Sequence, residues 1–162
     1  MEIQYLSYLR DNPDAFPNET EYKLTIEPIS LQEIATLEQL YNNGNPFPKV
    51  LKELLFLAGS LCYVLDFGIF DTQQEMQDDV REHMASQSRV ISRPFYAIDV
   101  YNQGDQFLFI YLDEGEDPPV YEGLYSGGGV NFPDWIHSVS VKSLSELINH
   151  RIDRQKAGRN PF

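Results

Sequence analysis

Apolar residues recur with a helical period in four segments of the chain, and three of these segments begin with a capping box. A Ser or Thr followed three residues later by Glu predicts a helix start, because the two side chains satisfy backbone N–H groups that the first turn leaves free. The pairs are Ser30 with Glu33, Thr72 with Glu75, and Ser143 with Glu146. The positions that then recur along each segment are Leu31, Ile34, Leu37 and Tyr41; Met76, Val80, His83 and Met84; and Leu144, Leu147, Ile148 and Ile152. The first and last patterns predict helices that pack one side against a core, and the pattern after Thr72 predicts a largely charged surface helix.

The fourth helical segment follows Pro46-Phe47-Pro48. Pro48 is predicted in the first helical turn, where the missing N–H of proline costs nothing. The predicted apolar stripe is wide and consists of Val50, Leu51, Leu54, Leu55, Ala58 and Leu61. Lys49, Lys52 and Glu53 are predicted to face water.

From residue 95 the period of the pattern changes to two, which is typical of strands. Residues 95–101 and 106–112 flank a turn and predict a hairpin, and residues 120–125 predict a third strand. The second strand is apolar on both sides, so we expect it to be central, with helices on one face and aromatic side chains on the other. Short turns between the strands, with helices before and after them, predict an α+β fold built on an antiparallel sheet.

The two ends of the chain differ from this core. Residues 1–29 contain three prolines and look irregular, but they are too aromatic for a disordered tail, so we expect them to pack on the domain. Residues 22–26 alternate like a short strand. We predict one domain over residues 1–162, with a core at about 30–152, an N-terminal extension at 1–29 and a basic C-terminal tail at 153–162.

The chain has 25 acidic and 12 basic residues among 162, which gives a net charge of −13. This charge repels phosphate backbones and anionic lipids, so nucleic acid and membranes are poor partners. The basic residues are concentrated at the end, since residues 150–162 carry a net charge of +3. The chain has no long apolar run and no export signal at its start, and we expect a cytoplasmic protein. Cys62 is the one cysteine; it excludes an internal disulfide and is predicted to be a core thiol.

Catalytic and metal-binding patterns are weak. His83, His137 and His150 are scattered, with no pair at the spacing of a helix-borne metal site. The glycine run at 127–129 lacks the strand, helix and Lys-Ser/Thr of a phosphate-binding loop. A small hydrolase with a pocket near Trp135 or the glycine run stays open as an alternative. We expect no enzyme activity, no metal and no cofactor.

The order of these elements resembles the SUKH superfamily, which includes fungal cell-wall regulators of the Smi/Knr type and many bacterial immunity proteins. The resemblance covers residues 30–152, and an aromatic hairpin and a final Ser-x-x-Glu helix complete it. Its other segments are Ser30-Leu31-Gln32-Glu33-Ile34, Phe47-Pro48, Lys52-Glu53-Leu54-Leu55 and Val120-Tyr121-Glu122. The chain has Ala58-Gly59-Ser60 where the family often has Asn-Gly-Gly.

The resemblance implies a non-enzymatic immunity protein that binds and neutralises a cognate polymorphic toxin, commonly a nuclease. An intracellular scaffold or regulator without a toxin partner is the alternative from the same superfamily. An acidic protein is suited to a basic nuclease, because it imitates the phosphates that such an enzyme grips. We predict that the partner-binding residues are Asp113, Glu114, Glu116 and Asp117 in one turn, with Asp66, Asp71 and Glu122 as neighbours. A solvated hairpin turn explains the same residues, and a calcium site is a weaker reading because the EF-hand spacing is absent.

Overall fold

The protein is an α+β structure, with five helices and two antiparallel sheets in the residues that the structure describes. The computed structural model describes residues 1–14, 25–67, 70–101, 105–125 and 134–162. The helices in these residues are α1 (Ser7–Asp11), α2 (Leu31–Tyr41), α3 (Lys49–Ala58), α4 (Gln73–Ser86) and α5 (Leu144–Lys156). The strands are β1 (Ile26–Glu27), β2 (Leu61–Cys62), β3 (Phe95–Tyr101), β4 (Gln106–Tyr111), β5 (Tyr121–Leu124) and β6 (Ile136–Ser138).

The larger sheet has the order β3-β4-β5-β6, and the smaller one pairs β1 with β2. The prediction that the second hairpin strand is central is therefore confirmed: β4 lies between β3 and β5. Gly123 pairs with Phe107 across β4 and β5, and the Phe107 ring lies over the glycine. A Cβ atom at position 123 would be 2.4 Å from that ring, so this position requires glycine. Aromatic rings stack along the same face, from Tyr125 over Phe107 to Phe109.

The outer edge of β3 is covered by side chains and by a backbone segment. The Gln77 side chain donates to the carbonyl of Ala97 at 2.7 Å and accepts from its N–H at 3.0 Å. Arg81 donates to the Phe95 carbonyl, and the Val100 N–H donates to the Asp66 carbonyl. These contacts satisfy backbone groups that an edge strand otherwise offers to another chain.

The helix starts follow the predicted residues, with differences in the caps. Ser30 and Glu33 form the complete capping box. Thr72 and Ser143 each accept the N–H of the Glu three residues on, as predicted. The carboxylates of those glutamates, however, accept the N–H groups of Asp71 and Lys142, one residue before the cap. The predicted bond from the N–H of the cap residue to the glutamate is therefore wrong for these two helices. Pro48 precedes the first turn of α3 as its N-cap and is not inside it.

Three of the predicted side-chain positions are wrong. Glu53 does not face water: its exposed fraction is 0 %. Leu61 lies in β2, because α3 ends at Ala58 and Gly59 follows as its C-cap. Leu31 is 56 % exposed, since it is the first residue of α2 and lies beyond the part of the helix that packs on α3.

The N-terminal segment packs on the rest of the protein, as predicted, but it is not irregular throughout. It forms the short helix α1, and Leu6 and Leu9 belong to the same buried cluster as the other helices and the large sheet. The Tyr8 hydroxyl donates to Asp153 on α5 at 2.8 Å. The predicted strand at 22–26 lies mostly outside the described residues, and its last residue, Ile26, is in β1. None of the helices in the described ranges is long and apolar enough to cross a bilayer.

Candidate functional site

The four predicted carboxylates of the β4–β5 connection lie in one turn, and Gly115 at its centre has a φ of +91°, which favours glycine. Arg93 reaches the first two carboxylates: its Nη2 atom is 2.6 Å from Asp113 Oδ1 and 2.9 Å from Glu114 Oε1. The guanidinium lies 3.9 Å from the centroid of the Tyr111 ring. The hydrogen bonds from Arg93 hold the pKa of Asp113 below its usual range. One arginine therefore offsets part of the charge of this turn.

The other two carboxylates of the turn cap helices. Glu116 Oε2 accepts the N–H of Lys49 at 2.8 Å, and the Glu116 carbonyl accepts the N–H of Val50 at 3.0 Å, at the start of α3. Asp117 accepts the N–H of Ser145 at 3.0 Å and its hydroxyl at 2.6 Å, at the start of α5. Both carboxylates thus lie at the positive ends of helix dipoles and satisfy N–H groups of the first turn. The turn joins the sheet to two helices.

The three predicted neighbours are not part of this turn. The Glu122 carboxylate accepts from the Tyr101 hydroxyl, and the Asp66 N–H donates to Asp99 at 2.6 Å. Burial and then the bond to Glu122 raise the pKa of Tyr101. These contacts are near the C-terminal half of β3. The acidic turn lies at the other end of that strand, because the N–H of Leu112, the residue before Asp113, donates to the carbonyl of Pro94, just before β3 begins. The two places are separated by roughly 15–20 Å of strand.

Asp71 is exposed and precedes α4, where it lines a groove on a different face of the protein. The structure therefore brings together Asp113, Glu114, Glu116 and Asp117, and it places Asp66, Asp71 and Glu122 elsewhere. Two acids of the turn are exposed and stay available to a partner: Asp113, whose side chain is 50 % accessible, and Glu116.

A buried acid that the sequence analysis placed in water organises the N-terminal segment. Glu53 Oε1 accepts the N–H of Gln4 at 2.7 Å, and Oε2 accepts the N–H groups of Tyr5 and Leu6 at 2.8 and 2.9 Å. Lys49 Nζ lies 3.7 Å from the same carboxylate. The sequence carries a signal for this position, because Glu53 is three residues after Val50 and therefore on the apolar side of the helix.

A second buried acid was also missed. Asp99 is 0 % exposed and accepts from Arg151 Nη1 at 2.5 Å, while Arg151 also donates to the Val64 carbonyl at 2.8 Å. Burial raises the pKa of Asp99, and the guanidinium opposes this effect. The signal was a charged residue inside the apolar strand 95–101, matched by an arginine on the apolar stripe of the last helix. Both buried acids join parts of the protein that are distant in the sequence: Glu53 joins α3 to residues 4–6, and Asp99 joins β3 to α5 through Arg151.

The groups considered for metal binding or catalysis are spread over the described ranges. No group of three His, Cys, Asp or Glu side chains in them could hold a metal ion. His83 is exposed and contacts the Asp79 carbonyl at 3.2 Å, and Cys62 is buried. Trp135 is half-buried beside the guanidinium of Arg89, at 5.3 Å from ring centroid to Cζ. The glycine run at 127–129 lies outside the described residues.

Comparison of the chain with protein-family models, with curated proteins and with solved structures finds no match.

Proposed function

We propose that the protein is a non-enzymatic immunity protein of the SUKH type, which binds a basic protein toxin in the cytoplasm and neutralises it. A nuclease is the class of toxin that suits the charge best. The observation that carries the proposal is that several of the few basic side chains contact other groups of the same protein. Arg81, Arg93 and Arg151 are held by partners within the protein, while acidic side chains such as Asp71 and Asp113 are exposed.

Three arginines illustrate these contacts. Arg151 is buried against Asp99. Arg93 is bound to the acidic turn. Arg81 lies between the rings of Tyr41 and Phe95, at 4.4 and 4.3 Å from their centroids, and desolvation lowers its pKa. These contacts leave the net charge of −13 unchanged, but they reduce the number of free cations at the surface that would repel a basic partner.

A negative field of this kind favours a basic partner in two ways. It raises the rate of encounter, and it opposes approach of nucleic acid, so the protein competes for a phosphate-binding surface without binding the substrate itself. The interaction depends on salt, because ions screen the charges over about 8–10 Å at ordinary ionic strength.

The proposal is tested with the C-terminal domain of a toxin encoded directly upstream of this gene. The two chains are co-expressed, and cell survival and copurification at equal stoichiometry are measured. We expect rescue, a one-to-one complex, and an association rate that falls as salt rises. Failure of rescue with a toxic neighbour, or the absence of such a neighbour, would favour the regulator alternative.

The acidic turn is tested separately with Asp113→Lys, which reverses a half-exposed charge that caps no helix. If the turn contacts the toxin, the variant weakens capture and reduces its salt dependence. Asp134→Lys before β6 is the matched control, because it makes the same change at another exposed position. Equal behaviour of the two variants would remove the turn from the interface.

A further inference from the structure

A groove lies between α2, the residues that precede α2, and the start of α4. Its volume is about 290 Å³, near the lower end of the range for small-molecule sites, so it has room for one or two side chains. The lining includes the apolar side chains of Ile29, Leu37, Phe67 and Phe70, beside the polar residues Ser60, Thr72 and Gln74. Glu33 and Asp71 lie on its walls and are exposed. The groove thus combines apolar side chains with carboxylates at its rim.

The interior of the groove is held in place by hydrogen bonds. The Gln73 side chain donates to the Gly59 carbonyl at 2.8 Å and accepts from the buried Tyr96 hydroxyl at 3.0 Å. The Ile29 N–H donates to the Leu55 carbonyl at 3.1 Å. These bonds connect the groove to α3 and β3, so little conformational entropy is lost when a side chain enters it.

The chain segments that form the groove carry charge of one sign. Residues 25–48 and 53–80 contain nine Asp and Glu residues and no Lys or Arg. Lys49 and Lys52, which lie between these ranges, are 3.7 and 3.8 Å from the carboxylates of Glu53 and Glu38. Arg81, the next basic residue after them, packs between two aromatic rings. A cation that approaches the groove therefore meets a negative potential without a competing positive charge from these segments.

Along α2 the groove extends as far as Leu37. Leu40 is 51 % exposed, but it lines a separate hollow with Arg81 and Arg93. Thr36 is exposed, and its hydroxyl donates to the carbonyl of Gln32 in its own helix. A groove with apolar side chains and a negative rim is complementary to a segment that has apolar side chains between positive ones.

We propose that this groove receives a segment of the basic protein partner, which inserts an apolar side chain and places flanking Lys or Arg side chains against Glu33 and Asp71. The inference rests on the proposed function, since it takes the partner to be basic. It assigns the contact to the face formed by α2 and α4 and not to the β4–β5 turn. The capping box of α2 uses the Oε2 atom of Glu33, which leaves Oε1 for a partner.

The first test uses two arginine substitutions in adjacent residues of α2. Thr36→Arg adds bulk and positive charge in the groove, whereas Ala35→Arg makes the same charge change at an exposed position about 100° around the helix. Arginine is a good helix former, so both variants are expected to fold. With the upstream-encoded toxin domain as probe, we expect Thr36→Arg to weaken binding at least about tenfold and Ala35→Arg to change it little. Thr36→Glu keeps the negative rim and is expected to bind nearly as the original chain does.

The second test uses the full chain and a hexapeptide with Leu-Phe between two Lys-Lys pairs. We expect the peptide to shift the NMR amide signals of Thr36 and Phe70 at low salt, and a peptide with Glu in place of Lys to leave them unchanged. If the basic peptide shifts those signals but no toxin binds, the groove proposal stands and the immunity function fails.

Two further outcomes would overturn the groove proposal. If the toxin binds and Thr36→Arg has no more effect than Ala35→Arg, the immunity function stands and the groove is not the contact. If light scattering shows a dimer that Thr36→Arg converts to a monomer, the groove is occupied by a second copy of the chain, and the assignment to a basic partner is wrong.

Discussion

Replacing Glu53 by Gln is expected to destabilise the protein and to release its N-terminal segment. The carboxylate accepts three backbone N–H groups and is fully buried. A Gln side chain has the same shape but one oxygen. With that oxygen at the position of Oε2, the N–H groups of Tyr5 and Leu6 keep an acceptor, while the amide NH2 faces the N–H of Gln4, donor against donor.

The expected loss follows from these bonds. A hydrogen bond to a charged group contributes about 1.5–3 kcal/mol, and one such bond is lost outright. The two remaining bonds become neutral and roughly half as strong. We therefore expect Glu53→Gln to lower the free energy of unfolding by about 3 kcal/mol, a large part of the 5–15 kcal/mol typical of a domain. Most of the chain should still fold at low temperature.

Urea unfolding followed by circular dichroism measures the global change, and amide hydrogen exchange at residues 4–6 measures the local one. Glu38→Gln is the matched control. The Glu38 carboxylate is on α2 and accepts one backbone N–H, that of Phe47 at 2.8 Å. We expect the control to cost about 1 kcal/mol and to leave exchange at residues 4–6 unchanged. Equal effects of the two variants, or unchanged exchange in Glu53→Gln, would refute this role of Glu53.

Three other predictions concern the sheet, the thiol and the turn. Gly123→Ala should lower stability by about 1–3 kcal/mol, because the new Cβ would lie 2.4 Å from the Phe107 ring; an unchanged urea midpoint would contradict the close packing. Burial raises the pKa of Cys62 to about 12, so at pH 8 a thiol reagent should react fully in urea and very slowly with the native protein, and equal rates would disprove the burial. Ionised Asp113 stabilises the fold above its ordinary pKa, and this stabilisation is lost as the pH falls through its lowered folded pKa. Arg93→Gln should therefore make the fall of stability at acid pH slightly less steep, and the effect is small because the pair is exposed and screened by solvent; an acid dependence identical to that of the original chain would contradict this role of the pair.

The main elements could be predicted from the sequence because each is specified by neighbours in the chain. The pattern at residues 30–42 predicts α2, and residues 95–101 coincide with β3. The short elements α1, β2 and β6 were missed. They have five, two and three residues, too few for a period to show, and tertiary contacts stabilise them.

The candidate turn shows that the sequence predicts a functional site only as far as its residues are neighbours in the chain. Its four carboxylates are adjacent in the sequence, so the cluster itself was predictable. What the carboxylates bind was not, because Lys49 is 67 residues before Glu116 and Ser145 is 28 residues after Asp117. Two of the acids predicted to contact a partner turned out to cap helices that come together in the folded chain.

The amino-acid sequence by itself determined the α+β class, the order of the long elements, the central strand and the negative charge. Only the tertiary structure decided which charges are used inside the protein. Glu53 is satisfied by N–H groups 47–49 residues away, and Asp99 by an arginine 52 residues away. Periodicity reports which side of an element is buried, whereas a buried charge is stable only where a distant partner replaces the water that it loses.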